Sequence, residues 1–169
     1  MVRPWALVSC VISILKSSLY NQAVGLLARR AHSREELRRK LVRKGDPDQV
    51  LEVLARLETL GYLNDEDYAW LRARSQRISK RWGRRRIALD LKSRGVDAKI
   101  IDLVLSRLEI ELPELDSLRQ LIQSWIRSFG SPTTVSQLKR LFDRCLRLGY
   151  TPEVVRTELE ECFHKLDWD

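Results

Sequence analysis

The sequence predicts an all-α fold: three tandem three-helix repeats forming an elongated, curved array. The first observation is a shared register around Gly45, Gly95 and Gly149. Four residues before these glycines stand Leu41, Leu91 and Cys145, and eight before stand Leu37, Ile87 and Leu141. Five and six after stand Val50-Leu51, Ile100-Ile101 and Val154-Val155, and ten after stand Ala55, Leu105 and Leu159. These offsets are helical on both sides of the glycine. The second observation is the punctuation. Glycine suits the left-handed position that ends a helix. Asp46-Pro47, Asp97 and Thr151-Pro152 then supply capping side chains and prolines preset for a first turn. The third is the period near fifty residues that separates these units, the mark of a repeat array.

In chain order, residues 1–17 form an N-terminal extension. The run "MVRPWALVSCVISIL" is too short to span a bilayer, and the apolar stretch before Cys10 is too short for a signal peptide core. It reads as an unprocessed extension or an upstream start. Residues 18–64 make the first repeat. Its first helix covers Ser18–Ala31 with Ala23, Leu26, Leu27 and Arg30 on one side, and "HSREEL" restarts the chain with Ser33 and Glu36 as a capping box. Residues 65–112 make the second, opening with a helix over Asp65–Trp82 whose stripe is Tyr68, Leu71, Ser75, Ile78 and Trp82. Asn64 or Asp65 caps it, and Glu66 and Asp67 suit its dipole. Residues 113–169 make the third, with Leu118, Leu121, Ile122 and Trp125 on a helix over Pro113–Phe129 and an insertion, "GSPTTVSQ", before the next helix.

The net charge of +8 is concentrated. From Arg72 to Arg94 the chain carries Arg72, Arg74, Arg77, Lys80, Arg81, Arg84, Arg85, Arg86, Lys92 and Arg94 against the single acid Asp90. A secondary basic cluster holds Arg34, Arg38, Arg39, Lys40, Arg43 and Lys44, with Arg29 and Arg30 just upstream, against Glu35 and Glu36. Helical spacing puts Arg74, Arg77 and Arg81 on one exposed face, away from the apolar stripe. Without balancing acids nearby, such a face is built to meet a polyanion, either phosphate or an acidic protein surface. Arginine dominates, which favours bidentate contacts. Trp70, Trp82 and Trp125 lie near apolar faces and are expected in cores rather than on a base-stacking platform.

Nothing in the sequence carries chemistry. There is no phosphate-binding loop, no dinucleotide fingerprint and no HExxH. His32 and His164 are far apart, and Cys10, Cys145 and Cys162 lack metal-ligand spacing. The expectation is a binding module with no catalytic residues, no cofactor and no metal, located in the cytoplasm.

Three segments carry a resemblance. "LLARRAHSREELRRKLVRKG", "LETLGYLNDEDYA" and "RWGRRRIALDLKSRGV" are similar to the RecX family of regulators of the bacterial RecA recombinase. The marks are the Ser33-Arg34-Glu35 turn, the Gly61-Tyr62-Leu63-Asn64-Asp65 signature, and Gly83, Ile87, Leu91 and Gly95. Asn64 stands where an acid is usual. The match is strong from Ala23 to Leu108; beyond Leu112 only the repeat pattern fits. The resemblance implies a monomeric, non-enzymatic protein that binds the groove of the RecA filament on single-stranded DNA. It would slow ATP hydrolysis and strand exchange, and so regulate recombination, DNA repair and the SOS response. It also implies modest affinity for single- and double-stranded DNA and no membrane association. Two alternatives stand beside it: a basic helical-repeat protein that binds nucleic acid without a recombinase partner, and a protein-only scaffold.

Overall fold

The computed structural model describes residues 18–163. The expectations placed on residues 1–17, His164 and the C-terminal end lie outside them. The described residues are helices joined by turns, with no strand among them. Helix α1 is described over residues 18–29. It is followed by α2 (Arg34–Leu41), α3 (Pro47–Thr59), α4 (Asp65–Lys80), α5 (Arg84–Ser93), α6 (Ala98–Glu111), α7 (Glu114–Phe129), α8 (Val135–Arg147) and α9 (Pro152–Cys162). No helix among the described residues is long and apolar enough to cross a membrane.

The helix boundaries follow from local chemistry. The Ser33 hydroxyl accepts the Glu36 N–H, and the Asp46 carboxylate accepts the N–H groups of Asp48 and Gln49. Asn64, rather than Asp65, caps α4 by accepting from Glu66 and Asp67. Thr134 caps α8 through the Gln137 N–H, whereas Thr151 precedes α9 without a side-chain bond. At the C-terminal ends, Gly61 (φ 72°), Gly95 (φ 76°) and Gly149 (φ 94°) take the left-handed conformation. The Gly61 and Gly149 turns are closed by Tyr62 N–H to the Leu57 carbonyl and Tyr150 N–H to the Cys145 carbonyl. Gly45 departs from the expected equivalence, because its φ is not positive.

The chain divides into two compact units. One runs to Ala69 and takes back Arg94–Asp97; the other contains Trp70–Ser93 and the chain from Ala98. The first unit is centred on Leu19, Ala23, Leu37, Leu41, Val50, Leu54, Leu57 and Leu63. Hydrogen bonds explain why Arg94 returns to it. The Ser33 hydroxyl donates to the Arg94 carbonyl, and the Arg94 guanidinium donates to the Glu36 carboxylate. The Glu36 carboxylate also receives Arg30 and the Tyr68 hydroxyl. Burial raises its pKa, but the hydrogen bond and charge of Arg30 and the charge of Arg94 outweigh burial and hold it below the usual range. The Asp65 carboxylate accepts the Arg34 N–H at the start of α2. Burial pushes its pKa up despite that bond.

The second unit contains a cluster of α7, α8 and α9 built on Leu118, Leu121, Ile122, Leu138, Leu141, Cys145, Tyr150, Val155 and Leu159. Burial pushes the Cys145 thiol up to about 12, so it is an inert core group. Ile87, Leu91, Ile101, Val104, Leu105 and Leu108 are the buried positions of α5 and α6.

Helix α4 overturns the expected stripe. Leu71 and Ile78 are 62% and 52% exposed, while Tyr68, Ala69, Ala73, Gln76 and Arg77 are buried. The helix turns its small residues inward, where they allow close packing, and leaves two large aliphatic residues outside.

His32, to which the sequence assigns no chemistry, has a structural place. It is buried, its Nδ1 lies 2.9 Å from the Arg30 carbonyl, and its Nε2 lies 2.7 Å from the Lys40 ammonium. Only the neutral ring with its proton on Nδ1 can donate to the first and accept from the second. Burial, then the charges of Arg30 and Lys40, lower its pKa from 6.5, against the opposing backbone bond and the Glu36 charge. A lowered pKa means the unfolded chain binds the extra proton first. Stability is therefore full above 6.5 and falls as the pH drops from there towards the folded value. Thermal melts between about pH 7.5 and 5.5 should show a falling midpoint, and His32→Gln should flatten that dependence.

Candidate polyanion-binding site

The structure separates the ten basic residues of the Arg72–Arg94 segment into those already engaged and those that are not. The Arg72 guanidinium makes a bidentate pair with Asp90 across α4 and α5. Arg74 pairs with Glu111 at 2.8 Å. Arg94 pairs with Glu36. The balancing acids that seemed absent are supplied by Asp90 itself and by residues distant in sequence.

Arg77 is a correction. It is 2% exposed, facing Glu109 at 3.8 Å, with Nε and Nη1 buried and without a hydrogen-bond partner. It therefore cannot share an exposed face with Arg74. Arg81 is a second correction. The helix ends at Lys80, and Arg81 takes φ 51°, a conformation costly for any residue with a Cβ. Its N–H donates to the Arg77 carbonyl, and its own carbonyl accepts the buried Tyr150 hydroxyl at 2.8 Å. Burial pushes the Tyr150 phenol upward, against the charge of Arg77, so it remains a donor. The expected Arg74–Arg77–Arg81 stripe thus dissolves into one ion-paired, one buried and one turn residue.

What remains open is on and around α5. Arg85 and Lys92 are exposed and make no ion pair among the described residues. They stand seven apart, so they share the outer face of α5 with Leu89, which is 67% exposed. The Arg84 side chain is also without an ion pair among the described residues, while its N–H donates to Glu114. Lys80 and Arg86 lie over the Trp82 ring at 4.8 and 4.5 Å, and Arg86 donates to the Arg147 carbonyl. The Trp70 face is covered by Arg107 at 4.0 Å. Trp70 and Trp82 are therefore half-buried rings under cations, neither deep core nor free platforms.

In the secondary cluster, Arg34 pairs with Glu58 at 2.7 Å, and Arg38 and Arg39 both pair with Glu35. Those hydrogen bonds, Arg38 first, hold the Glu35 carboxyl at about 2 despite opposing burial. Lys40 is committed to His32. Arg43 and Lys44 are exposed and unpaired among the described residues. No group of three metal-binding side chains occurs among the described residues.

Sequence reasoning missed a further basic site on α8. Arg140, Arg144 and Arg147 line a pocket of about 400 Å³ with Trp125, Phe129 and Gln137. The signal was present as i, i+4, i+7 spacing, but residues 113–169 hold nine acids against eight Lys and Arg, and that balance hid it.

Known proteins place this arrangement. Residues 20–57 match a family model described as "RecX, first three-helix domain", and residues 64–105 match "RecX, second three-helix domain". A protein named "Regulatory protein RecX" from Mycolicibacterium smegmatis is 35% identical over 82% of this chain and 78% of its own length. Another of that name from Prosthecochloris aestuarii is 32% identical over 83% of this chain and 91% of its own. The crystal structure of RecX from Lactobacillus salivarius superposes with a TM-score of 0.77 at 21% identity, covering 88% of this chain and 97% of that one. Its fold is that of this chain. By these sequence matches, the chain belongs to the RecX family.

Proposed function

We propose that this chain is a non-catalytic regulator that binds the RecA filament on single-stranded DNA and lowers its ATP hydrolysis and recombinase activity. Its three repeats (18–64, 65–112 and 113–169) would form the binding surface. Membership of a family whose relatives are named regulatory proteins carries the reading. The outer face of α5 supports a protein partner. Leu89, exposed between Arg85 and Lys92, suits a surface that is acidic but not purely ionic. Leu71 and Ile78 extend the same logic on α4. Bare phosphate would give exposed aliphatic residues nothing to bury.

The test is a titration against RecA–DNA filaments and against the same DNA alone, at rising salt, with binding and ATP turnover read together. DNA binding through cations should fall steeply with salt. Filament binding should persist further, because apolar contacts and contacts to neighbouring subunits reinforce one another. ATP turnover by RecA should drop while the chain itself hydrolyses none. Identical salt profiles with unchanged turnover would reject the recombinase partner and favour a simple nucleic-acid-binding protein.

A further inference from the structure

We infer that the pocket between α7 and α8 is a subsite for single-stranded nucleic acid, stacking a base on Trp125 and Phe129 and holding the adjoining phosphates with Arg140, Arg144 and Arg147. Two independent features converge there. The first is charge without a partner. Arg140, Arg144 and Arg147 are exposed and make no side-chain ion pair among the described residues. Of the acids in this repeat, Glu158 takes Arg119 in a bidentate pair and Glu161 approaches the same guanidinium at 3.9 Å, while Asp143, beside Arg144 on α8, offsets part of the charge without forming an ion pair among the described residues. At 1.5 Å rise per residue the first two arginines stand about 6 Å apart along the helix and the outer two about 10 Å. That run suits successive backbone phosphates.

The second feature is an aromatic pair of which Phe129 is the open ring. Trp125 is half-buried against the core of α7, α8 and α9, close to the core position the sequence predicts, and it backs Phe129 and lines the pocket with its remaining surface. Trp125 and Phe129 lie 5.4 Å apart between centroids and tilt by 42°, and Phe129 is 66% exposed. Arginine or lysine covers the rings of Tyr20, Trp70 and Trp82, but among the described residues no such cation sits over this pair. Gln137 adds direction. Its carboxamide oxygen accepts from the Thr133 N–H and hydroxyl, which leaves its NH2 group for the pocket. An acidic peptide would satisfy the arginines and leave the rings unmatched. A base-paired duplex would satisfy the arginines and keep its bases inside its own stack. A single strand satisfies both.

The inference does not depend on a recombinase partner, so its test uses the full chain and an oligonucleotide alone. A fluorescent oligothymidylate of about a dozen nucleotides is compared with an abasic oligomer of equal length and charge. The wild-type chain should bind the base-bearing strand about tenfold more tightly, in line with stacking of one or two bases. Phe129→Ala should bring that ratio close to one at unchanged helicity, and Phe129→Tyr should retain it. Arg140→Ala with Arg144→Ala should weaken both oligomers alike, keep their ratio, and reduce the salt slope by about 1.4. Equal wild-type affinity for the two oligomers, or a ratio untouched by Phe129→Ala, would overturn the proposal. So would displacement of the thymidylate by a glutamate–tyrosine copolymer that binds more tightly, which would assign the pocket to an acidic protein segment.

Discussion

Gly149→Ala is expected to destabilise the protein by about 3 kcal/mol, combining a left-handed backbone penalty with overpacking. At φ 94° the position already disfavours any side chain. A Cβ there would also meet the Arg86 backbone nitrogen and Cβ, each at 2.5 Å. Gly83 lies on the other side of the same crossing: a Cβ on it would meet the Gly149 carbonyl carbon and oxygen at 2.5 Å. The Gly83 N–H donates to the Leu148 carbonyl at 2.8 Å and the Arg85 N–H to the Gly149 carbonyl at 3.3 Å. Two backbones touch here and neither can swing aside, so Gly83→Ala should cost a similar amount although its φ is ordinary. Gly95→Val should cost roughly 1 kcal/mol or more from its positive φ alone, and its Cβ would also crowd the Glu35 side chain. Gly45→Ala should be milder, because its φ is not positive and the atoms met are the flexible tip of Leu19. Urea midpoints for the four variants give the ranking. Equal losses at Gly45 and Gly149 would contradict it.

Much of the helical frame was legible in the sequence. The register, the caps at Ser33, Asp46 and Asn64, and the ends at Gly95 and Gly149 could be read because they depend on neighbours a few residues away. The glycine periodicity was real but served two purposes. Gly95 and Gly149 end helices, whereas Gly45 meets Leu19. Gly83 looked like part of a motif and proved to be a point of backbone contact. What could not be read was set by long-range partners. Arg72 and Arg74 looked free until folding brought Asp90 and Glu111 to them. The buried face of α4 was misread because hydrophobic periodicity gives weight to Leu71 and Ile78 and little to Ala69 and Ala73. Packing favours the small residues where the approach is close. The site on α8 was obscured because summed charge hides which acids are already paired.

Those distinctions separate two charge reversals that the sequence would treat as equivalent. Arg77→Glu should destabilise by about 3–5 kcal/mol, the range for leaving an uncompensated charge in a buried position. The new carboxylate would face Glu109 and sit against the Tyr150 side, in a position 2% exposed. Arg77→Met should be far milder, since it removes the two nitrogens that lack partners along with the charge. Arg85→Glu with Lys92→Glu should leave the melting midpoint nearly unchanged, because both side chains are exposed and without ion pairs among the described residues. Arg85 lies in the first turn of α5, where a negative charge suits the helix dipole. The same double reversal should weaken filament binding by at least tenfold, the effect of roughly 1.4 kcal/mol, because two attractive contacts become repulsive. Melting and filament binding measured on the same preparations decide the matter. Loss of binding in Arg77→Glu would then follow loss of folding, whereas loss in the double variant would occur in a folded protein. Full binding by a folded Arg85→Glu/Lys92→Glu chain would remove α5 from the interface and shift the contact to the arginines that remain free elsewhere.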